Sequence, residues 1–188
     1  PCEDAFSQWT QSITLTGGST VTDITEFNGD LYVNVDGAGI HRSTDDGGSW
    51  QKLSVPAQGN FVHFIRHNAE LLAISYGKLF RTLDGNLWSE EDAPTQFIED
   101  VSSDGINIFV ATSQGLYQSP DAGATWLKNP DPATNVSFSS IVINGSTILA
   151  GVSFPNPGVV LKSVNGGSTW TSLTISANNK VRDLYFQG

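Results

Sequence analysis

Apolar residues in this chain fall in short runs and show no helical stripe. Leu31-Tyr32-Val33-Asn34-Val35, Leu71-Leu72-Ala73-Ile74-Ser75, the stretch from Ile106 to Thr112 and Ile148-Leu149-Ala150-Gly151-Val152 are almost continuously apolar or β-branched. That is the composition of a strand covered on both faces. Each run follows a first strand, starting at Val21, Phe61, Ile98 or Phe138. Each is followed by a third strand: Gly39 to Ser43, Lys78 to Thr82, Gly115 to Ser119 and Val159 to Ser163. A polar, Gly-bearing turn comes next, and a more polar strand opened by Trp closes the unit, as in Trp50-Gln51-Lys52-Leu53-Ser54-Val55. The spacing predicts four-stranded antiparallel meanders over residues 21–55, 61–93, 97–131 and 138–175.

The turn before the fourth strand is the most repetitive feature. It reads Ser43-Thr44-Asp45-Asp46-Gly47-Gly48-Ser49-Trp50, then Arg81-Thr82-Leu83-Asp84-Gly85-Asn86-Leu87-Trp88, Ser119-Pro120-Asp121-Ala122-Gly123-Ala124-Thr125-Trp126 and Ser163-Val164-Asn165-Gly166-Gly167-Ser168-Thr169-Trp170. The Trp positions lie 38, 38 and 44 residues apart. A period near 40 residues with strand-like contents marks a repeat architecture, most often a β-propeller. The glycines Gly47, Gly85, Gly123 and Gly167 suit positive φ. Asp45, Asp121 and Asn165 can accept backbone amides, and Ser43, Ser119 and Ser163 can do the same more weakly. Trp50, Trp88, Trp126 and Trp170 then serve as inward anchors. These residues are read as bracing, not as catalysts.

The pattern Ser-x-Asp-x-Gly-x-Thr-Trp resembles the Asp-box, or bacterial neuraminidase repeat. The resemblance covers nearly all of residues 1–188 and implies one Asp-box β-propeller domain. It places each box between the third and fourth strands of a blade, away from the usual ligand face. Two copies depart from it: Asn165 replaces the acid in the fourth, and Leu83 stands at that place in the second, whose turn must be held another way. The resemblance also implies an exported protein, whether secreted, periplasmic or on the cell surface. It identifies a fold more than an activity.

The ends add partial blades. Trp9 to Leu15 parallels the outer strands and predicts one at 9–15 with no blade before it. Leu184 to Gly188 resembles the remnant of a cleavage tag, yet Val181-Arg182-Asp183-Leu184 repeats Ile98-Glu99-Asp100-Val101 and predicts the inner strand of a fifth repeat over 181–188. The expected architecture is all-β, with four complete blades and partial blade strands at both termini. Such a list does not close a ring, so the chain is read as a piece of a larger propeller, or as one whose open edges are covered by further blades or partner chains.

Composition narrows the partners. The net charge is −10 with 9 Lys+Arg, which argues against nucleic acid and anionic membrane. No run of about 18 apolar residues exists, so no helix is expected to enter a bilayer. One cysteine, Cys2, allows no internal disulfide.

Candidate chemistry lies on the loops and at the channel. Loops that join second to third strands and fourth to next first strands share one end of the blades. They include Phe154-Pro155-Asn156-Pro157-Gly158, where Phe154 and Asn156 form a stiffened contact point, and Ser89 to Gln96 with the acids Glu90, Glu91 and Asp92. First strands line the channel, and their third positions form a candidate ring of Asp23, His63, Asp100, Ser140 and Asp183. Oxygen donors there could take a hard cation such as Ca²⁺, though capping of strand-end amides is the plainer role and no cofactor is expected. A sialidase-like site needs an arginine trio with a Tyr–Glu pair. Here the arginines are Arg42, Arg66, Arg81 and Arg182, two of them at turn entrances. The expected function is a non-catalytic binding or scaffold module that recognises protein or glycan through its loops. The alternatives are a sialidase- or xyloglucanase-like glycoside hydrolase, or part of one, and an assembly factor, a class that carries a basic patch this acidic chain lacks.

Overall fold

A computed structural model describes residues 20–55, 63–75, 77–95, 97–129, 136–175 and 179–186. The expected outer strand at 9–15, the loop 56–60, Phe61 and residues 187 and 188 lie outside the described residues. Blade one is β1 (Val21–Phe27), β2 (Asp30–Val35), β3 (Gly39–Ser43) and β4 (Gln51–Lys52). Blade two is β5 (Phe64–His67), β6 (Glu70–Ser75), β7 (Lys78–Thr82) and β8 (Ser89–Asp92). Blade three is β9 (Ile98–Ser103), β10 (Ile108–Thr112), β11 (Gly115–Ser119) and β12 (Leu127–Lys128). Blade four is β13 (Ser137–Asn144), β14 (Thr147–Phe154), β15 (Val159–Ser163) and β16 (Thr171–Thr174). Every blade is an antiparallel meander in chain order, and the described residues contain no helix. First strands of successive blades touch, β1 with β5, β5 with β9 and β9 with β13. The arrangement is a β-propeller, seen in part.

The apolar runs are continuous because each central strand is sandwiched. In β6, Leu71 and Ala73 face blade one, clustering with its Phe27, Tyr32 and Ile40 and with Phe80 and Trp88 of their own blade. Leu72 and Ile74 point the other way, to Ile98, Val101, Ile108 and Val110 of blade three. Successive strand residues project to opposite faces, so a period-two strand between two sheets must be apolar at every position. In β10, Phe109 and Ala111 repeat this against Phe138, Ile141, Ile148 and Ala150 of blade four. Each such Phe or Leu contributes about 1.5–3 kcal/mol of burial.

Three expectations need correction. Ile106 does not start a strand: it sits in the β9–β10 turn, 71% exposed, because Asp104 Oδ1 accepts the amides of Ile106 and Asn107 and closes the hairpin there. The acids Glu90, Glu91 and Asp92 are not in a loop. They form β8, paired to β7, where Lys78 holds Glu90 and Asp92 at 3.0 and 2.7 Å and Arg81 holds Glu91 at 3.0 Å. The segment from Val181 forms no ladder among the described residues. It lies on blade four, where Ser139 Oγ donates to the Val181 carbonyl at 2.7 Å. A strand needs a partner's amides and carbonyls, and no second strand stands beside this segment among the described residues.

Candidate binding site

The channel positions are set by irregular pairing of the first strands. Register shifts fall between Val21 and Asp23, opposite Ala111/Thr112 beside Asp100, and between Phe138 and Ser140. A bulge re-aims the side chain that follows it. Asp23 and Asp100 consequently stitch blades together. Asp23 accepts its neighbour Ile24 N–H at 2.8 Å with one oxygen and Phe64 N–H of blade two at 2.6 Å with the other. Asp100 does the same with Val101 at 2.7 Å and Ile141 of blade four at 2.8 Å. Asp183 accepts only Leu184 N–H, at 2.7 Å, among these bonds.

His63 stands between the two. Its Nδ1 lies 3.7 Å from Asp23 Oδ2 and its Nε2 3.8 Å from Asp100 Oδ1. Burial pulls the imidazole pKa down, but the flanking Asp23 and Asp100 outweigh it and the net shift is upward. Burial raises Asp100, against the amides and His63 that favour its charge. Ser140 turns away into blade four, fully buried, against Gly151 and with no hydrogen-bond partner among the described residues. Asp23, His63 and Asp100 are thus together, while Ser140 is apart. Among the described residues no group of three or more His, Cys, Asp or Glu is placed to hold a metal ion.

The loop end of the blades carries Phe154, 64% exposed at the end of β14, with Asn156 exposed just beyond it. At the opposite end are the Trp turns. In the first, Ser43 Oγ accepts Gly47 N–H at 2.8 Å, and Asp45 accepts the Ser49 amide and hydroxyl at 2.8 and 2.7 Å. These bonds, the Ser49 hydroxyl foremost, lower the Asp45 pKa to about 2. Ser119 and Asp121 repeat the geometry with Gly123 and Thr125. In the fourth turn Ser163 accepts Gly167 N–H and Asn165 Oδ1 accepts Thr169 N–H, but Asn165 Nδ2 donates to the Thr169 hydroxyl, the reverse of the bond an acid makes.

The second turn is one residue shorter. Thr82 Oγ1 accepts Gly85 N–H at 2.8 Å, three residues on instead of four. Asp84 Oδ1 accepts Asn86 and Leu87 N–H at 2.8 and 2.9 Å. The acid is therefore present at Asp84, and Leu83 is only the spacer. Aligning on Trp concealed this; aligning on the hydroxyl that ends the third strand would have revealed Thr82 and Asp84.

Two arginines carry the turns from blade to blade. Arg42 Nε donates to Asp30 at 2.7 Å and Nη1 reaches Asn86 of the second turn. Arg81 pairs with Glu70 at 3.5 Å and donates to the Ala122 carbonyl of the third turn. Gln118 and Asn107 occupy the matching places in blade three as a neutral pair at 2.9 Å.

No family model matches the chain, and no curated protein matches it. Solved propellers do. The GH74 enzyme of Niastella koreensis shares 25% identity at a TM-score of 0.62, over 83% of this chain and 30% of its own. YCF48 from Cyanidioschyzon merolae gives 17% identity and 0.70, over 94% of this chain and 62% of its own; YCF48 has also been solved bound to D1 peptide. The extracellular domain of the putative one component system BT4673 from B. thetaiotaomicron gives 14% and 0.70, over 90% and 24%. The chain spans less than two thirds of each of these proteins. No helix among the described residues is long and apolar enough to cross a membrane.

Proposed function

We propose that this chain is a non-catalytic part of an exported Asp-box propeller that recognises a protein or glycan partner through the loop end of its blades. One observation carries the reading: apart from Asp183, the candidate acids of the channel and of β8 are already committed. Asp23 and Asp100 each accept two backbone amides, and Glu90, Glu91 and Asp92 pair with Lys78 and Arg81. Paired glycosidase carboxylates need one free to protonate the leaving group and one free to attack or activate water. What stays available on the loop end is the exposed Phe154, a side chain suited to insertion in a partner. The peptide-bound YCF48 and the extracellular BT4673 domain support recognition as a use for such blades. Further blades, from the same protein or another chain, complete the ring.

The test is a panel of fluorogenic sialosides and xyloglucan oligosaccharides. Silence across the panel, with retained binding to a glycan array or to an extracellular protein that Phe154→Ala weakens, supports the reading. Turnover above the uncatalysed blank overturns it. A second reading, a portion of a glycoside hydrolase, is favoured by the 25% identity to the GH74 enzyme, of which this chain spans 30%. Its remaining carboxylates would then come from blades beyond these four.

A further inference from the structure

The segment from Val181 is seated where an inner strand belongs, without a blade of its own among the described residues. Val181 lies over Gly151 of β14, where an added Cβ would stand 2.7 Å from the Val181 Cβ. Ser139 Oγ donates to its carbonyl, and Lys180 reaches Glu99 of blade three at 3.2 Å. Ile98, which opens the matching stretch of blade three, packs in the same way against Leu72 and Ile74 of β6. Gly151 is the counterpart of Ile74 by ladder position, since Ile148 pairs with Ser163 as Leu71 pairs with Thr82.

The five candidate ring positions alternate between acid and non-acid: Asp23, His63, Asp100, Ser140 and Asp183. Each acid gives Oδ1 to the amide that follows it, Ile24, Val101 or Leu184, at 2.8, 2.7 and 2.7 Å. In Asp23 and Asp100, Oδ2 takes the amide that follows the non-acid of the next blade, Phe64 after His63 and Ile141 after Ser140. Asp183 Oδ2 has no such donor among the described residues, and Asp183 is exposed where the other two acids are half-buried.

We propose that Asp183 is the docking residue for one further propeller blade, whose inner-strand N–H it accepts through Oδ2, and that this blade carries a non-acidic residue at its ring position. The bond is charge-assisted, like those of Asp23 and Asp100. An acid at the ring position of the incoming blade would hold that amide itself and set a second carboxylate against Asp183. Blade one of a second copy does not fit for this reason, because Asp23 already holds the Ile24 amide. The inference rests on the reading that further blades complete the ring and is separate from recognition at the loop end.

The test extends the chain from Leu184 with a second copy of residues 102–175. The copy completes a blade on 181–184 and adds one with Ser140 at its ring position, so that Asp183 stands where Asp100 stands in the original. Hydrogen exchange of the added Ile141 amide should be as slow as that of the original one, and Asp183→Ala should speed it by about tenfold or more. The same substitution should lower the thermal midpoint of the extended chain and leave that of the unextended chain within about 1 °C. Ser140→Asp in the added copy, which takes the Ile141 amide for itself, should make Asp183→Ala silent. Equal exchange with and without Asp183 overturns the proposal, as does an added segment that stays unfolded on four intact blades. Self-association of the unextended chain that Asp183→Ala abolishes also overturns it, by giving the position to a second copy. Phe154 and the loops are untouched, so failure here leaves the glycoside and binding panels of the loop-end reading as they are.

Discussion

Asp100 Oδ2 accepts the backbone N–H of Ile141 at 2.8 Å, from one blade to the next. It is a charged acceptor holding a strand that has its own apolar seam, so the bond adds alignment to a contact that burial already drives. Hydrogen bonds to charged groups contribute about 1.5–3 kcal/mol. Asp100→Ala should therefore cost about 2 kcal/mol in urea unfolding, with little change in slope. A loss below about 0.5 kcal/mol would mean that the seam holds without it.

Stability should peak near neutral pH for two opposed reasons. His63 has a raised pKa, so its contribution is complete below the ordinary imidazole value of 6.5 and is lost as pH climbs through the raised folded-state value. His67 is buried against Ser103, and burial lowers its pKa, so stability falls as pH drops below 6.5 and the unfolded chain takes up a proton first. His63→Gln should flatten the alkaline limb of a Tm-versus-pH curve, and His67→Gln the acidic one. If the two substitutions shift the whole curve without altering its limbs, the assignment fails.

The second turn distinguishes its spacer from its acid. Asp84→Ala removes the acceptor of two amides, and the thermal midpoint should fall. Leu83→Asp, at the position that Trp-based counting would choose, should leave the midpoint within about 1 °C. The reverse ranking would restore position 83 as the turn's anchor.

Gly85 has φ +76°, and a methyl added there would land on the Tyr32 hydroxyl, inside the seam between blades one and two. Gly166 has φ +66° with nothing within 4 Å of such a methyl. Both alanine variants carry the left-handed backbone penalty of about 1–2 kcal/mol. Only Gly85→Ala adds overpacking of about 1–3 kcal/mol. Guanidinium unfolding of the pair should separate them by that increment.

Much of the fold was legible because a blade is a local object. The third strands fall where the apolar pattern ends at Ser43, Thr82, Ser119 and Ser163. Ile106 was misplaced by a local turn that Asp104 closes, whereas the other errors depend on partners across a ladder or in another blade. Glu90, Glu91 and Asp92 looked like a loop by charge, and only Lys78 and Arg81 across the ladder make an acidic strand tolerable. Nothing near Asp23 or Asp100 in sequence reveals the Phe64 and Ile141 amides they accept. The acid of the second turn was hidden by a single deletion, since a repeat aligned on its largest residue conceals a gap before it.

The braces at the turn end of the blades are not alike. Arg42 with Asp30 and Arg81 with Glu70 reach the second and third turns through charge, whereas Gln118 with Asn107 holds the corresponding place in blade three without it. Ionic strength screens the first kind and leaves the second untouched. In brine the pairs that brace Arg42 and Arg81 inside their own blades consequently weaken, while the neutral brace inside blade three keeps its grip.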